Sequence, residues 1–421
     1  MRRWLVLAVL AGCGDNAPPA VDAATGVEMV ALPAETTSKL DLLFVLDNEN
    51  TTVEHRLALR DAFRSLLVQI SIDGRPDLHI GAITPDLGVT TASGKQGVPT
   101  ACSQAGDAGR LQMSNTSIPD PYLIDSAEAS NHPLALETDI FWILEMSDTG
   151  CAFQQHLSAA RAAFLNPYNA GFRRSDAALG IVVLADQDDC SVLDPSIFGP
   201  ASPELGAQTH FRCAQFGVVC DEPDMTAVGP RTNCRPNTSS TEIEDPAAFV
   251  DVFRVQASDP RRVAFGAIVA TDSVAIEQIN GGSGLSPIPW LAPACEWQAY
   301  DGVTVAEPAV RLGALAKQFG DRGSLGSICS ADLSAAEKTV GIGLRRAMGD
   351  PCVEGDFVLN QCTAVDELAG KATPIPPCGA SSESCWELVT DPTTCPNAAH
   401  QKLVVHRSAK PPAGTYALLR C

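Results

Sequence analysis

The chain has 421 residues, long enough for two or three units with a sizeable buried core. Hydrophobic residues make up 45% and charged residues 19%, a globular composition that excludes a mostly disordered chain. With 29 Lys+Arg against 50 Asp+Glu the formal net charge is −21, which repels phosphate backbones and argues against nucleic-acid binding. The same charge suits solubility, cation binding or a basic partner.

Arg2 and Arg3 precede a short apolar run, Trp4 to Ala11. A bilayer span needs about 20 apolar residues, so the run reads as a signal peptide. It ends in Leu10-Ala11-Gly12-Cys13, which is similar to a bacterial lipobox, where the signal is cut before the Cys and the thiol takes a lipid. The expectation is a lipoprotein signal over 1–12, lipidation at Cys13, and a flexible lipid-anchored tether over 13–36, rich in Pro, Ala and Asp at Asp15 to Gly26. No later segment is long and apolar enough to span a membrane. The protein is therefore expected to be exported and anchored by its N-terminal lipid alone in a bacterial cell envelope, at the outer membrane or facing the periplasm.

Setting Cys13 aside, 14 of the 15 cysteines remain, an even number in an exported chain, which reads as up to seven disulfides. The candidates are Cys102, Cys151, Cys190, Cys213, Cys220, Cys234, Cys295, Cys329, Cys352, Cys362, Cys378, Cys385, Cys395 and Cys421. Paired Cys-x-x-Cys spacings are absent, which argues against structural zinc. Connectivity stays open; Cys352 with Cys362 is a plausible local pair, and Cys102 with Cys151 a longer-range one.

Lys39 to Leu46 (KLDLLFVL) reads as a buried parallel strand ending at Asp47. A helix follows, with Leu59, Phe63, Leu66, Leu67 and Ile70 on one face. Leu78 to Thr84 is a second strand, and residues 85–137 a long loop or insertion. Ile140 to Leu144 is a candidate strand, and Phe153, Leu157, Ala160 and Phe164 mark a helix. Leu179 to Ala185 is the most hydrophobic strand and ends at Asp186; residues 190–244 form a second long Cys-containing loop. Asp245-Pro246 opens a helix through Val255, Arg262 to Ala270 is a strand, Leu312 to Phe319 a helix stopped by Gly320, and Asp332 to Met348 the last helix.

This alternation predicts an α/β domain over 37–349 with a doubly wound, mostly parallel, Rossmann-type sheet and long Cys-containing loops. Ligands in such folds sit beyond the carboxyl ends of the strands, where Asp47 and Asp186 stand. Residues 350–421 carry six Cys and short β-like runs, Lys402 to Val405 and Tyr416 to Leu419. They read as a small β-rich cap stapled by disulfides.

The string Asp41-Leu42-Leu43-Phe44-Val45-Leu46-Asp47-Asn48-Glu49-Asn50-Thr51 resembles the first strand and metal-site motif of von Willebrand factor type A (vWA) domains, Asp-x-Ser-x-Ser. In that family hydroxyl and carboxylate oxygens hold a hard divalent cation at the top of the sheet, and a partner's carboxylate completes its shell. Asp47 matches, Thr51 is a hydroxyl substitute, and Glu49 stands where Ser is expected. A Glu there could ligate directly, fill the open position, or mark a site that has lost its metal. The later Thr is best matched by Thr149, with Ser147 and Thr138 as rivals; Asp186 matches the Asp after the fourth strand. The strings Gly150 to Gln155, Asp186 to Ser191, Phe211 to Cys220, Ser327 to Cys329 and the tail from Cys385-Trp386 to Cys421 are similar to cysteine-rich vWA lipoproteins of Gram-negative bacteria. The resemblance implies a metal-assisted adhesion or protein-binding module: Mg, Ca or Mn at Asp47, Glu49, Thr51, Thr149 and Asp186, and a protein ligand presenting a carboxylate.

Other readings of the same residues stand beside this one. Asp47 could cap the following helix, and Asp188-Asp189 could be a solvated loop or a second ion site. Gly106 to Arg110 lacks the Lys-Ser/Thr ending of a phosphate cradle. Neither Gly-x-Ser-x-Gly nor His-Glu-x-x-His occurs, and the histidines at 55, 79, 132, 156, 210, 400 and 406 are scattered, so no enzyme is expected. The alternative to a binding module is a structural envelope lipoprotein with a non-functional metal site, which Glu49 favours.

Overall fold

The computed structural model describes residues 28–72, 74–89, 102, 106–271, 273–281, 286–299, 302–353, 361–379, 384–396, 399–412 and 414–421. The expected signal peptide, Cys13 and most of the expected tether lie outside them. The tether ends earlier than expected. Residues 28–33 form a strand, β1 (Glu28–Pro33), paired antiparallel with the C-terminal strand Tyr416–Arg420.

In β2 (Lys39–Leu46) every residue after Lys39 is buried, which is why the run is continuously apolar. Leu40, Leu42, Phe44 and Leu46 enter one core; Leu43 and Val45 enter another on the opposite face. The first core is closed by α1 (Val53–Ile70). β3 (Asp77–Ile83) and the short β4 (Leu123–Asp125) continue the sheet. The segment expected as a strand at Ile140 to Leu144 is instead helical, in α2 (Leu136–Asp139) and α3 (Phe141–Leu144). Its buried residues Leu136, Ile140, Ile143 and Leu144 fall at i, i+4, i+7 and i+8, a helical period.

Next come α4 (His156–Leu165), β5 (Ala178–Leu184), α5 (Phe211–Gly217), α6 (Ala248–Arg254), α7 (Val310–Lys317) and α8 (Ser334–Met348). The main sheet is mixed and has six strands: Gly323–Ser327, Val263–Val269, β5, β2, β3, β4. All neighbours are parallel except the edge strand β4. Helices α1 and α8 contribute to the core on one face, and α4, α6 and α7 to the core on the other. The strand Gly323–Ser327 had no hydrophobic signature. Its Gly326 lets the helix approach, since a Cβ there would lie 2.5 Å from Ala336 Cβ.

The C-terminal region is β-rich, as expected. One antiparallel sheet orders β1, Tyr416–Arg420, Thr363–Leu368 and Lys371–Ile375; a second orders Cys352–Val353, Gln401–His406 and Cys385–Thr390. Their core holds Val30, Val353, Ala364, Trp386, Leu403 and Leu419. It is fastened to the α/β unit by Tyr416 Oη donating to Asp259 (2.7 Å) and by the Arg261–Glu367 ion pair (2.8 Å).

All fourteen candidate cysteines are paired: 102–151, 190–213, 220–234, 295–329, 352–395, 362–421 and 378–385. The long-range pair 102–151 is found. The local pair 352–362 is not, because the two cysteines serve different sheets. Cys352 opens a strand beside Gln401–His406, whereas Cys362 precedes Thr363, which pairs with Arg420 next to Cys421. Disulfides of this density belong to an oxidising compartment outside the cytosol. No described helix is long and apolar enough to cross a membrane.

Candidate functional site

β2 and β5 are adjacent and parallel. From β2 the chain passes to β3 on one side, and later returns to β5 on the other, so a crevice opens between their carboxyl ends. Asp47 and Asp186 leave the two strands at this point. The backbone N–H of Asp47 donates to the Leu184 carbonyl (3.1 Å) and ties the two strand ends together.

Asp47 is fully buried. Its Oδ1 accepts from the Glu49 backbone N–H (3.0 Å), which folds the Asn48–Asn50 loop back on the strand end. It does not cap α1, whose N-terminus has no side-chain cap. Glu49 turns inward, and its Oε2 accepts from Gln187 Nε2 (2.6 Å). The same amide nitrogen lies 3.5 Å from Asp47 Oδ2. Burial, then the neighbouring Asp47 charge, pushes the Glu49 carboxyl up to about 7. The Thr51 hydroxyl opposes the upward shift of the Asp186 carboxyl. Asp186 is raised well above the usual carboxylate range, first by burial and then by the charges of Asp47, Glu49 and Glu307.

Four further residues complete the site, none of them expected from the sequence. Arg56, one turn into α1, donates Nη1 to the Asp47 carbonyl and to Thr52 Oγ1, both at 2.8 Å. Gln187 follows Asp186 directly. Glu307 donates its backbone N–H to the Asp186 carbonyl (2.7 Å), and its carboxylate pairs with His210 Nε2 (3.0 Å). Burial opposes the charge on His210, but Glu307 overrides it and raises the imidazole above its ordinary value. Only Gln187 had a sequence signal, its place beside a strand-terminal Asp. Arg56 lies nine residues after Asp47 on the next helix, and His210 and Glu307 arrive from distant segments.

Thr149 is not brought onto this cluster by any hydrogen bond. It is exposed, and its hydroxyl lies 2.7 Å from that of Ser147, its rival for the same role. The neighbouring Gly150 does reach the site loop, donating its N–H to the Asn48 carbonyl (3.0 Å). Thr138, the other rival, lies on α2. Asp188 and Asp189 do not form a solvated loop; both are engaged within the protein. Asp188 accepts from the backbone N–H groups of Arg311 (2.8 Å) and Leu312 (3.1 Å) in the first turn of α7. Asp189 is fully buried and takes Arg311 Nη2 (2.9 Å) and the Leu157 N–H (2.9 Å).

The oxygen donors are of the kind a hard divalent cation prefers. Among the described residues no three of these acidic side chains bring ligand atoms within 4.8 Å of one another, and the Gln187 amide nitrogen lies 2.6 Å from Glu49 Oε2 and 3.5 Å from Asp47 Oδ2. Among the described residues the His/Cys/Asp/Glu group that does converge is Cys378, Glu387 and His406 in the cap, and there Cys378 is already bound to Cys385.

No known protein family matches the chain by sequence, and no curated protein matches it. Solved structures similar to it include the conserved hypothetical protein BatB from Bacteroides thetaiotaomicron, at 11% identity and TM-score 0.27, covering 73% of this chain and 98% of that one. Another is the pilus adhesin SpaC from Lactobacillus rhamnosus GG, at 13% identity and TM-score 0.32, covering 92% of this chain and 40% of the adhesin. A third is the pilus adhesin RrgA from Streptococcus pneumoniae, at 11% identity and TM-score 0.21, covering 94% and 57%. These scores lie below the level at which a likeness carries an argument, so the reading of the site rests on this chain's own geometry.

Proposed function

We propose that the chain is an exported, lipid-anchored, vWA-type protein-binding module of a bacterial cell envelope, non-catalytic, with its partner docking on the rim at the exposed Asn50 and Thr51, which the buried Asp47 and Asp186 and the half-buried Glu49 support from beneath. The observation that carries the reading is the meeting of two acidic strand ends, Asp47 and Asp186, at the crevice where the chain leaves β2 and β5 in opposite directions. The parallel core with one antiparallel edge, and helices on both faces, supports a doubly wound vWA arrangement. The disulfides support an extracytoplasmic location, and Cys13 supplies the anchor.

A photo-cross-linking residue at the exposed Asn50 tests the docking face, with the exposed Lys371 on the cap as a remote control. In native envelopes the Asn50 probe should capture a discrete protein that the Lys371 probe does not, and Asp186→Ala should abolish the capture. The same proteins at both positions, or capture indifferent to Asp186→Ala, would refute the reading. Repeating the capture in chelator and in Mg²⁺ measures cation dependence, and Cys13→Ser should release the protein from the membrane fraction. A second reading, a structural envelope lipoprotein that keeps the fold as scaffold, is favoured by the Gln187 bond to Glu49.

A further inference from the structure

We propose that Gln187 takes the place of the divalent cation, its carboxamide N–H group joining the Asp47 and Glu49 carboxylates so that the rim is assembled without metal. The proposal rests on the reading of this rim as the binding surface and deepens it, because it makes binding there independent of divalent cations.

Three observations converge. The Gln187 amide nitrogen lies 2.6 Å from Glu49 Oε2 and 3.5 Å from Asp47 Oδ2, so one donor group faces two acceptors. With both carboxylates ionised the amide meets them through N–H, because they would repel its carbonyl oxygen. Second, a cation site of this kind relies on small hydroxyl groups to leave room for the ion. Here position 49 carries a longer acidic side chain that bonds Gln187, and the exposed Thr149 hydroxyl is engaged by Ser147. Third, the groups around the pair are tied within the protein: Arg56 donates to the Asp47 carbonyl and to Thr52, and Glu307 is paired with His210. The pair is coherent: Glu49 brings a carboxylate to the site, and Gln187, the residue after Asp186, supplies the N–H donors it requires.

The test is thermal unfolding of the mature protein, disulfides intact, in EDTA and in millimolar Ca²⁺ or Mg²⁺. Wild type should melt at the same temperature in all three. Gln187→Ala strips the donors from two carboxylates held close together, so it should melt several degrees lower in EDTA and recover most of that loss in Ca²⁺. Gln187→Glu adds a further carboxylate and should show the same cation response more strongly; it serves if the alanine variant does not fold. A wild-type melting temperature that rises with Ca²⁺ or Mg²⁺ would overturn the proposal, as would Gln187 variants indifferent to cations. These results are separable from the docking test. Loss of cross-linking at Asn50 speaks against the rim as a binding surface, whereas a cation-dependent wild type speaks only against Gln187 as the stand-in.

Discussion

Glu337 offers a sharp physical test of this fold, because it is a carboxyl group buried where α8 packs on α1. The side chain is 1% exposed. Burial pushes its carboxyl up from 4.5 to about 9; the backbone at Leu66 offsets part of the shift and the charge of Asp332 adds to it. The folded-state pKa is raised, so the folded protein holds a proton that the unfolded chain releases. Stability is therefore greatest below the unfolded value and falls as pH rises from about 4.5 toward about 9. At about pH 7 the gap from the unfolded value is about 2.5 pH units, which at 1.36 kcal/mol per unit costs about 3 kcal/mol. Glu337→Gln keeps the shape and removes the titration. The variant should match wild type near pH 5, to within about 1 kcal/mol, and exceed it by about 3 kcal/mol near pH 7. Urea unfolding at both pH values, with disulfides intact, measures this. Glu49 and Asp186 titrate in both proteins and so drop out of the difference. A difference that does not change with pH would refute the argument.

Two further predictions probe the frame of the site. Arg311→Met leaves Asp189 as an unpaired charge in the core and should destabilise the protein by about 3–5 kcal/mol in the same urea assay; a loss under about 1 kcal/mol would mean the pair is not the brace of the loop after β5. Gly150→Ala places a Cβ 2.1 Å from Asn48 Oδ1 and should cost about 1–3 kcal/mol as the site loop shifts, whereas a neutral result would show that the 147–150 segment does not hold that loop.

The strands and helices of the α/β unit were legible because burial writes itself into sequence as period. A strand covered on both faces is continuously apolar, as in KLDLLFVL, and a helix covered on one face repeats at i, i+4, i+7, as in Leu59, Phe63 and Leu66. Asp47 and Asp186 were legible for a related reason: a carboxylate directly after a buried strand stands out. Ile140 to Leu144 was misread because five apolar residues in a row fit either a strand or a helix, and only the place of Leu136 one turn earlier decides. Cysteine number indicated pairing, but not partners, since pairing depends on which strands lie side by side; Cys362 meets Cys421 because their strands are neighbours in the cap. β1 was missed as a strand because its partner is the far C-terminus.

The sequence by itself determined the class of fold, the even set of cysteines and the two acidic strand ends, all of which follow from local composition and spacing. Tertiary structure alone decided what surrounds those acids. His210 and Glu307 come from segments far apart in the chain with no shared local pattern, and the inward turn of Glu49 onto Gln187 depends on β2 lying beside β5. Hydrogen bonds and burial act through space. A residue's neighbours in the chain therefore reveal its propensity, while the charge and donors it meets are set by the packing of the whole sheet.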